Sequence, residues 1–142
     1  MVEVDWKEII YYAVILIVVL IAAQHLNVVV SGSMEPAFYR GDIVVVEKAD
    51  FFGLSEFNPE DVQVGDVVVY DAAWYDQPVI HRVINITEIN GTTMYVIKGD
   101  NNNRPDPYYV PAYRIQEKVV SLGDNLLVIP KIGYLSLWLR GL

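Results

Sequence analysis

Fifteen consecutive residues, Ile9 to Ala23, carry no charge, and the chain runs on through Gln24, His25, Leu26 and Asn27 to Val30, giving twenty-two residues with no formal charge at neutral pH. Few folds can house such a stretch. At about 1.5 Å per residue the longer version reaches the roughly 30 Å of a bilayer core, whereas the shorter does not. The reading is therefore one transmembrane helix over residues 9–30, with a polar outer end and a short flank over 1–8. A cleaved signal peptide competes, since fifteen apolar residues also suit an h-region, but Met1 to Glu8 holds one lysine against three acids and no small-x-small site follows at the right distance. A helix buried in a soluble core usually keeps a polar face, and this one has none. Orientation is left open by charge, because Lys7 stands alone on one side and Arg40 and Lys48 lie on the other.

Beyond Val30 the pattern breaks into short apolar runs between turns. Gly41-Asp42, Gly65-Asp66 and Gly123-Asp124 lead into Ile43–Val46, Val67–Tyr70 and Leu126–Ile129, and Gly99-Asp100 is a fourth such pair. Turns opening into β-branched runs predict a mainly β domain over 31–129. Val79–Ile89 and Thr92–Ile97 fit a hairpin across Asn90-Gly91, the dipeptide suited to a type I′ turn. Alternation along the first arm puts His81, Val83 and Asn85 on one face and Ile80, Arg82 and Ile84 on the other. Two stretches fit strands poorly. Residues 49–64 carry Phe51, Phe52, Leu54 and Phe57, rings expected to cap the β core, with a lipid surface as the alternative. Residues 101–111 are rich in Asn, Pro and Tyr. The end, 130–142, is too short to span a bilayer and reads as an interfacial segment or the start of a second span.

With 142 residues there is room for one modest core beside a helix. The net charge of −8, with ten Lys and Arg scattered among eighteen acids, lacks the basic stripe of a nucleic-acid surface, so no nucleic-acid partner is expected. No cysteine means no disulfide framework, no thiolate zinc site and no cysteine nucleophile. No cluster of ligand residues appears, so neither metal nor organic cofactor is expected. Asn85-Ile86-Thr87 and Asn90-Gly91-Thr92 form glycosylation triplets of a kind that arises readily by chance.

Just past the apolar stretch the chain reads Ser31-Gly32-Ser33-Met34-Glu35-Pro36, a serine in a tight turn with room beside Gly32 and a stiff exit at Pro36. A serine hydroxyl needs a base to become a nucleophile. Only two histidines are available. His25 lies in or at the end of the apolar helix, where a neutral imidazole reaching toward the interface is expected, so His81 is the better candidate.

At these residues the chain resembles type I signal peptidases. Ser31-Gly32-Ser33-Met34-Glu35-Pro36, Gly65-Asp66-Val67-Val68-Val69-Tyr70, His81-Arg82-Val83 and Lys98-Gly99-Asp100-Asn101-Asn102 occur in that family's order and rough spacing, nearest the archaeal enzymes and the catalytic subunit of the endoplasmic-reticulum complex. The resemblance implies a signal-peptidase-like β domain behind one membrane helix, with Ser33 as nucleophile and His81 where bacterial relatives carry a lysine. It implies Asp106 as the acid that orients His81 and Asp100 in a supporting hydrogen-bond role. The Ser33 amide and the Ser31 hydroxyl would form the oxyanion hole. It further implies signal-peptide-bearing preproteins as substrates, cut after small residues, a single-pass cell-membrane location in the lipid bilayer and an extracytoplasmic β domain. The need for further subunits is left open. Two other readings compete: a membrane-tethered β module that only binds a partner, and a Ser-Lys protease using Lys98.

Overall fold

The computed structural model describes residues 2–142. Helix α1 spans Trp6–Ala23, and Asp5 caps it by accepting the Lys7 amide at 2.9 Å. Its mean hydropathy is 2.1 and none of its side chains is buried, so it is long and apolar enough to cross a membrane. The uncharged stretch does not stay helical to Val30. Gln24 caps the helix, and Leu26–Val28 forms strand β1, paired antiparallel to β2 (Ile43–Lys48). The change has a chemical cause. Asn27 gives its side-chain amide to Glu117, and the β-branched residues that follow favour extended backbone.

The remaining strands are β3 (Val67–Tyr70), β4 (Val79–Ile89), β5 (Thr92–Lys98), β6 (Val110–Pro111), β7 (Ile115–Val119), β8 (Ser121–Leu122), β9 (Asn125–Leu126) and β10 (Val128–Ile129), before helix α2 (Tyr134–Leu139). They form one antiparallel sheet in the order β1-β2-β7-β3-β4-β5-β6, with β10 also on β2 and β8-β9 apart as a small hairpin. The expected class, mainly β behind one apolar helix, is what the chain adopts. All four residues of β3 are buried, because apolar clusters cover it on both faces: Val68 and Tyr70 join Val83, Tyr95, Ile97 and Ile115, while Val67 joins Met34, Phe38, Val44 and Val46.

Asn90 and Gly91 both take positive φ, 52° and 75°, as a type I′ turn requires, and β4 and β5 pair across it from Ile89 and Thr92. Alternation along β4 holds for His81 and Val83 and then fails. A bulge between Val83 and Asn85 resets the register, so Ile86 packs on the cluster that Val83 joins and Asn85 is exposed.

The aromatic insertion divides its rings. Phe57 packs on the core and Phe51 meets the His25 ring edge-on with centroids 4.7 Å apart, but Phe52, at the tip of a small turn, is 81% exposed. The C-terminal segment is docked rather than loose. The Lys131 amide donates to buried Asp42, Tyr134 lies over Gly41, and Leu137 is buried, leaving Leu135, Trp138 and Leu139 outward.

Candidate active site

Three segments far apart in sequence meet at one point. The turn after β1 carries Ser33, β4 carries His81, and the loop between β5 and β6 carries Asp106, whose amide donates to the Ile97 carbonyl at 2.8 Å. Ser33 Oγ lies 3.0 Å from His81 Nε2. His81 Nδ1 lies 2.8 Å from Asp106 Oδ2 and 3.0 Å from Oδ1. An ionised carboxylate only accepts, so Nδ1 carries the hydrogen and Nε2 is left to accept from the Ser33 hydroxyl. His81 is 5% exposed, fixed beside Val68 across the β3–β4 ladder, so its ring has little freedom to leave this orientation.

Around this chain of bonds the loop after β5 acts as a clamp. The Asn101 amide donates to the Ser33 carbonyl at 2.8 Å, and its side chain donates to the Gly32 carbonyl at 3.1 Å. Asp100 does not reach His81 or Ser33. It grips the Arg82 guanidinium through two bonds of 2.9 and 2.7 Å, and Arg82 also donates to the Gly65 carbonyl at 2.8 Å. The hydrogen bonds that the guanidinium donates to Asp100 hold it above its ordinary range against the opposing effect of burial. This fork-to-fork pair fixes where the loop begins. Ser31 Oγ lies 3.1 Å from Ser33 Oγ. Lys98 stands opposite Arg82 in the β4–β5 register and therefore projects away from the face of His81.

Tyr70, at the end of β3, donates its phenol to Asp106 Oδ2 at 2.7 Å. Burial first, and then the neighbouring carboxylate, push that phenol far above its usual range, so it remains a donor at any working pH. In the sequence Tyr70 only closes the Gly65–Tyr70 block, and nothing there marks its hydroxyl. The Arg82–Asp100 pair does leave a signal: pairing β4 with β5 across Asn90-Gly91 brings the end of β5, two residues before Asp100, beside Arg82.

The other histidine serves elsewhere. His25 Nδ1 faces the Ile21 carbonyl at 2.9 Å and Nε2 faces Glu56 at 2.8 Å. The Ile21 carbonyl first, and Glu56 after it, favour the protonated ring and raise His25 above its ordinary value, so the imidazole ties the helix end to the β domain instead of reaching toward the interface.

Ser33 and His81 open onto a groove of about 560 Å³. Val28, Val30, Val79 and Ile80 give it apolar lining, and Asn27 and Glu117 are among its polar lining residues. A hydroxyl with an oriented base at the side of a groove of mixed lining is equipped for acyl transfer. Among the described residues, no group of three His, Cys, Asp or Glu side chains is placed to hold a metal ion.

Residues 3–101 match the family described as signal peptidase, peptidase S26. The chain belongs to that family. An uncharacterised protein of Methanocaldococcus jannaschii is 36% identical, with 88% of each chain covered. The signal peptidase complex catalytic subunit SEC11 of Lachancea thermotolerans is 39% identical over 79% of this chain and 64% of its own length, and that of Plasmodium falciparum is 35% identical over 80% and 57%. This signal peptidase family member thus spans less than two thirds of the length of those catalytic subunits. The family match takes in Ser33, His81 and Asp100 and stops five residues before Asp106.

Proposed function

We propose that this chain is a membrane-anchored serine endopeptidase that removes signal peptides from secreted preproteins. The single observation that carries this reading is the continuous line of hydrogen bonds Ser33–His81–Asp106 opening on the groove lined by β1 and β4. In this reading Ser33 Oγ attacks the scissile carbonyl while His81 takes its proton through Nε2 and later gives it to the leaving amine. Asp106 holds the ring in the useful tautomer and stabilises the imidazolium formed between. Water then hydrolyses the acyl-enzyme. The oxyanion is met by the Ser33 amide and the Ser31 hydroxyl, each such donor contributing about 3 kcal/mol to the transition state. Asp100 acts at one remove, by holding Arg82 and so the loop that clamps Ser33.

The substrate lies extended along the free edge of β1, adding a strand through main-chain bonds while side chains enter pockets walled by valines and Ile80. Shallow apolar pockets of this kind admit small residues, so the cut falls after residues such as alanine. Helix α1 spans the bilayer once, and the β domain stands on the extracytoplasmic side. The ten residues from Ala23 to Ser33 keep the nucleophile near the membrane surface, where the apolar part of a signal peptide ends, and anchoring both partners there raises their effective concentration.

The test is cleavage of a preprotein with an alanine-x-alanine site, in detergent or liposomes, by the full chain and by Ser33→Ala, His81→Ala and His81→Lys. The expected result is processing by the intact chain and none by either alanine variant. Full activity of His81→Ala would place the base elsewhere, with Lys98 the next to change.

A further inference from the structure

Tyr70 presents a chemical question that packing does not answer. It is 1% exposed and sits in the apolar cluster with Val68, Ala72 and Ile115, where a phenylalanine would fill nearly the same space without a hydroxyl to desolvate. The hydroxyl has one acceptor, and the Trp74 side chain also lies against it. It donates to Asp106 Oδ2 at 2.7 Å, the same oxygen that accepts from His81 Nδ1 at 2.8 Å. Asp106 itself rides on the irregular loop between β5 and β6, held by its amide to Ile97 and by these two side chains.

We propose that Tyr70 is a positioning residue for proteolysis, its hydroxyl locking the Asp106 carboxylate onto His81 and reducing the negative charge that carboxylate turns toward the ring. The inference rests on the reading of Ser33, His81 and Asp106 as the working groups. A phenol bonded to a carboxylate is a charge-assisted bond, so it draws density from the shared oxygen and fixes the carboxylate plane. The groups facing the His81 ring are Ser33 from the turn and Asp106 from the loop, with Tyr70 from β3 behind Asp106. Arg82 and Asp100 are joined to each other, and Lys98 projects to the other face. Tyr70 is therefore the group through which the carboxylate's pull on the ring is set.

The experiment is the pH dependence of preprotein cleavage by the full chain, by Tyr70→Phe and by Asp106→Asn. Without the phenol, Asp106 attracts the imidazolium more strongly, so the acidic limb of kcat/KM for Tyr70→Phe should move to higher pH by about half a unit. The plateau kcat should fall roughly tenfold, the worth of one bond to a charged group, with KM little changed. A fluorinated tyrosine placed at position 70 is a stronger donor with unchanged packing, and it should move the limb to lower pH. It decides the matter if Tyr70→Phe folds poorly. An unmoved limb in both variants, whether or not the rate falls, would overturn the proposal and leave Tyr70 a packing residue. Full activity of Asp106→Asn would instead remove the underlying assignment of Asp106, a result that Tyr70→Phe alone cannot produce.

Discussion

Gly99 lies so close against His81 that a Cβ at this position would sit 2.9 Å from the imidazole Nε2 and 2.7 Å from the Ser33 carbonyl oxygen. The other three Gly-Asp pairs use glycine for a positive φ, but Gly99 does not, and its small size is what the site requires. Gly99→Ala should push the ring and the Ser33 turn apart while leaving both strands paired. A displacement near 1 Å at reacting groups costs on the order of a hundredfold in rate, so kcat/KM should fall by about that factor. Steady-state cleavage beside a thermal melt checks it; a lost melt with a normal residual rate in the folded fraction would mean that the contact matters to folding instead.

The two aspartates of the loop should separate sharply. Asp106→Asn keeps the shape but lets Nδ1 lose its acceptor, presenting the wrong tautomer to Ser33, and a loss of roughly 10³ to 10⁴ in kcat is expected. Asp100→Asn loosens the grip on Arg82, which acts only through the Ser33 clamp, so a loss of about tenfold is expected. Equal losses in single-turnover assays would contradict this division.

Ser31→Ala tests the hydroxyl 3.1 Å from Ser33 Oγ. Loss of an oxyanion donor lowers kcat by roughly a hundredfold or more with KM nearly unchanged. If kcat is retained, Ser31 is a turn residue, and the Ser33 amide must find its companion elsewhere.

Much of this arrangement was legible in the chain, and the illegible parts have physical causes. The apolar helix, the β class and the hairpin at Asn90-Gly91 follow from local signals, namely charge-free length, β-branched runs and a dipeptide that tolerates positive φ. Ser33 and His81 were singled out from scarcity of bases and from resemblance. The end of the helix at Ala23 was not legible, because hydropathy is blind to the tertiary partners that draw Asn27 into a strand. Nor was the bulge after Val83, since a single extra residue leaves no mark on composition yet reverses every later side chain. The work of Tyr70 and Asp100 depends on where the loop of eleven residues between β5 and β6, 99–109, is drawn across the sheet, and only long-range packing decides that.

The contact between His25 and Glu56 makes stability depend on pH in a defined window. The Ile21 carbonyl, and after it Glu56, hold His25 above its ordinary 6.5; the Lys48 amide, aided by His25, holds Glu56 below its ordinary 4.5. A histidine raised on folding contributes stability fully below its unfolded value and loses it as pH rises through the folded one. A carboxylate lowered on folding contributes above its unfolded value and loses it as pH falls through the folded one. The pair therefore stabilises the junction of α1 with the β domain most between the two ordinary values, 4.5 and 6.5, and fades as pH rises through the raised value of His25. Glu56→Gln removes the charge while keeping an acceptor for the ring. The melting temperature of the wild type minus that of this variant, measured in detergent across that range, should peak in the window and decline on the alkaline side. A difference that stays flat with pH would mean that His25 is held by the Ile21 carbonyl and the Phe51 ring, with Glu56 contributing no linked charge.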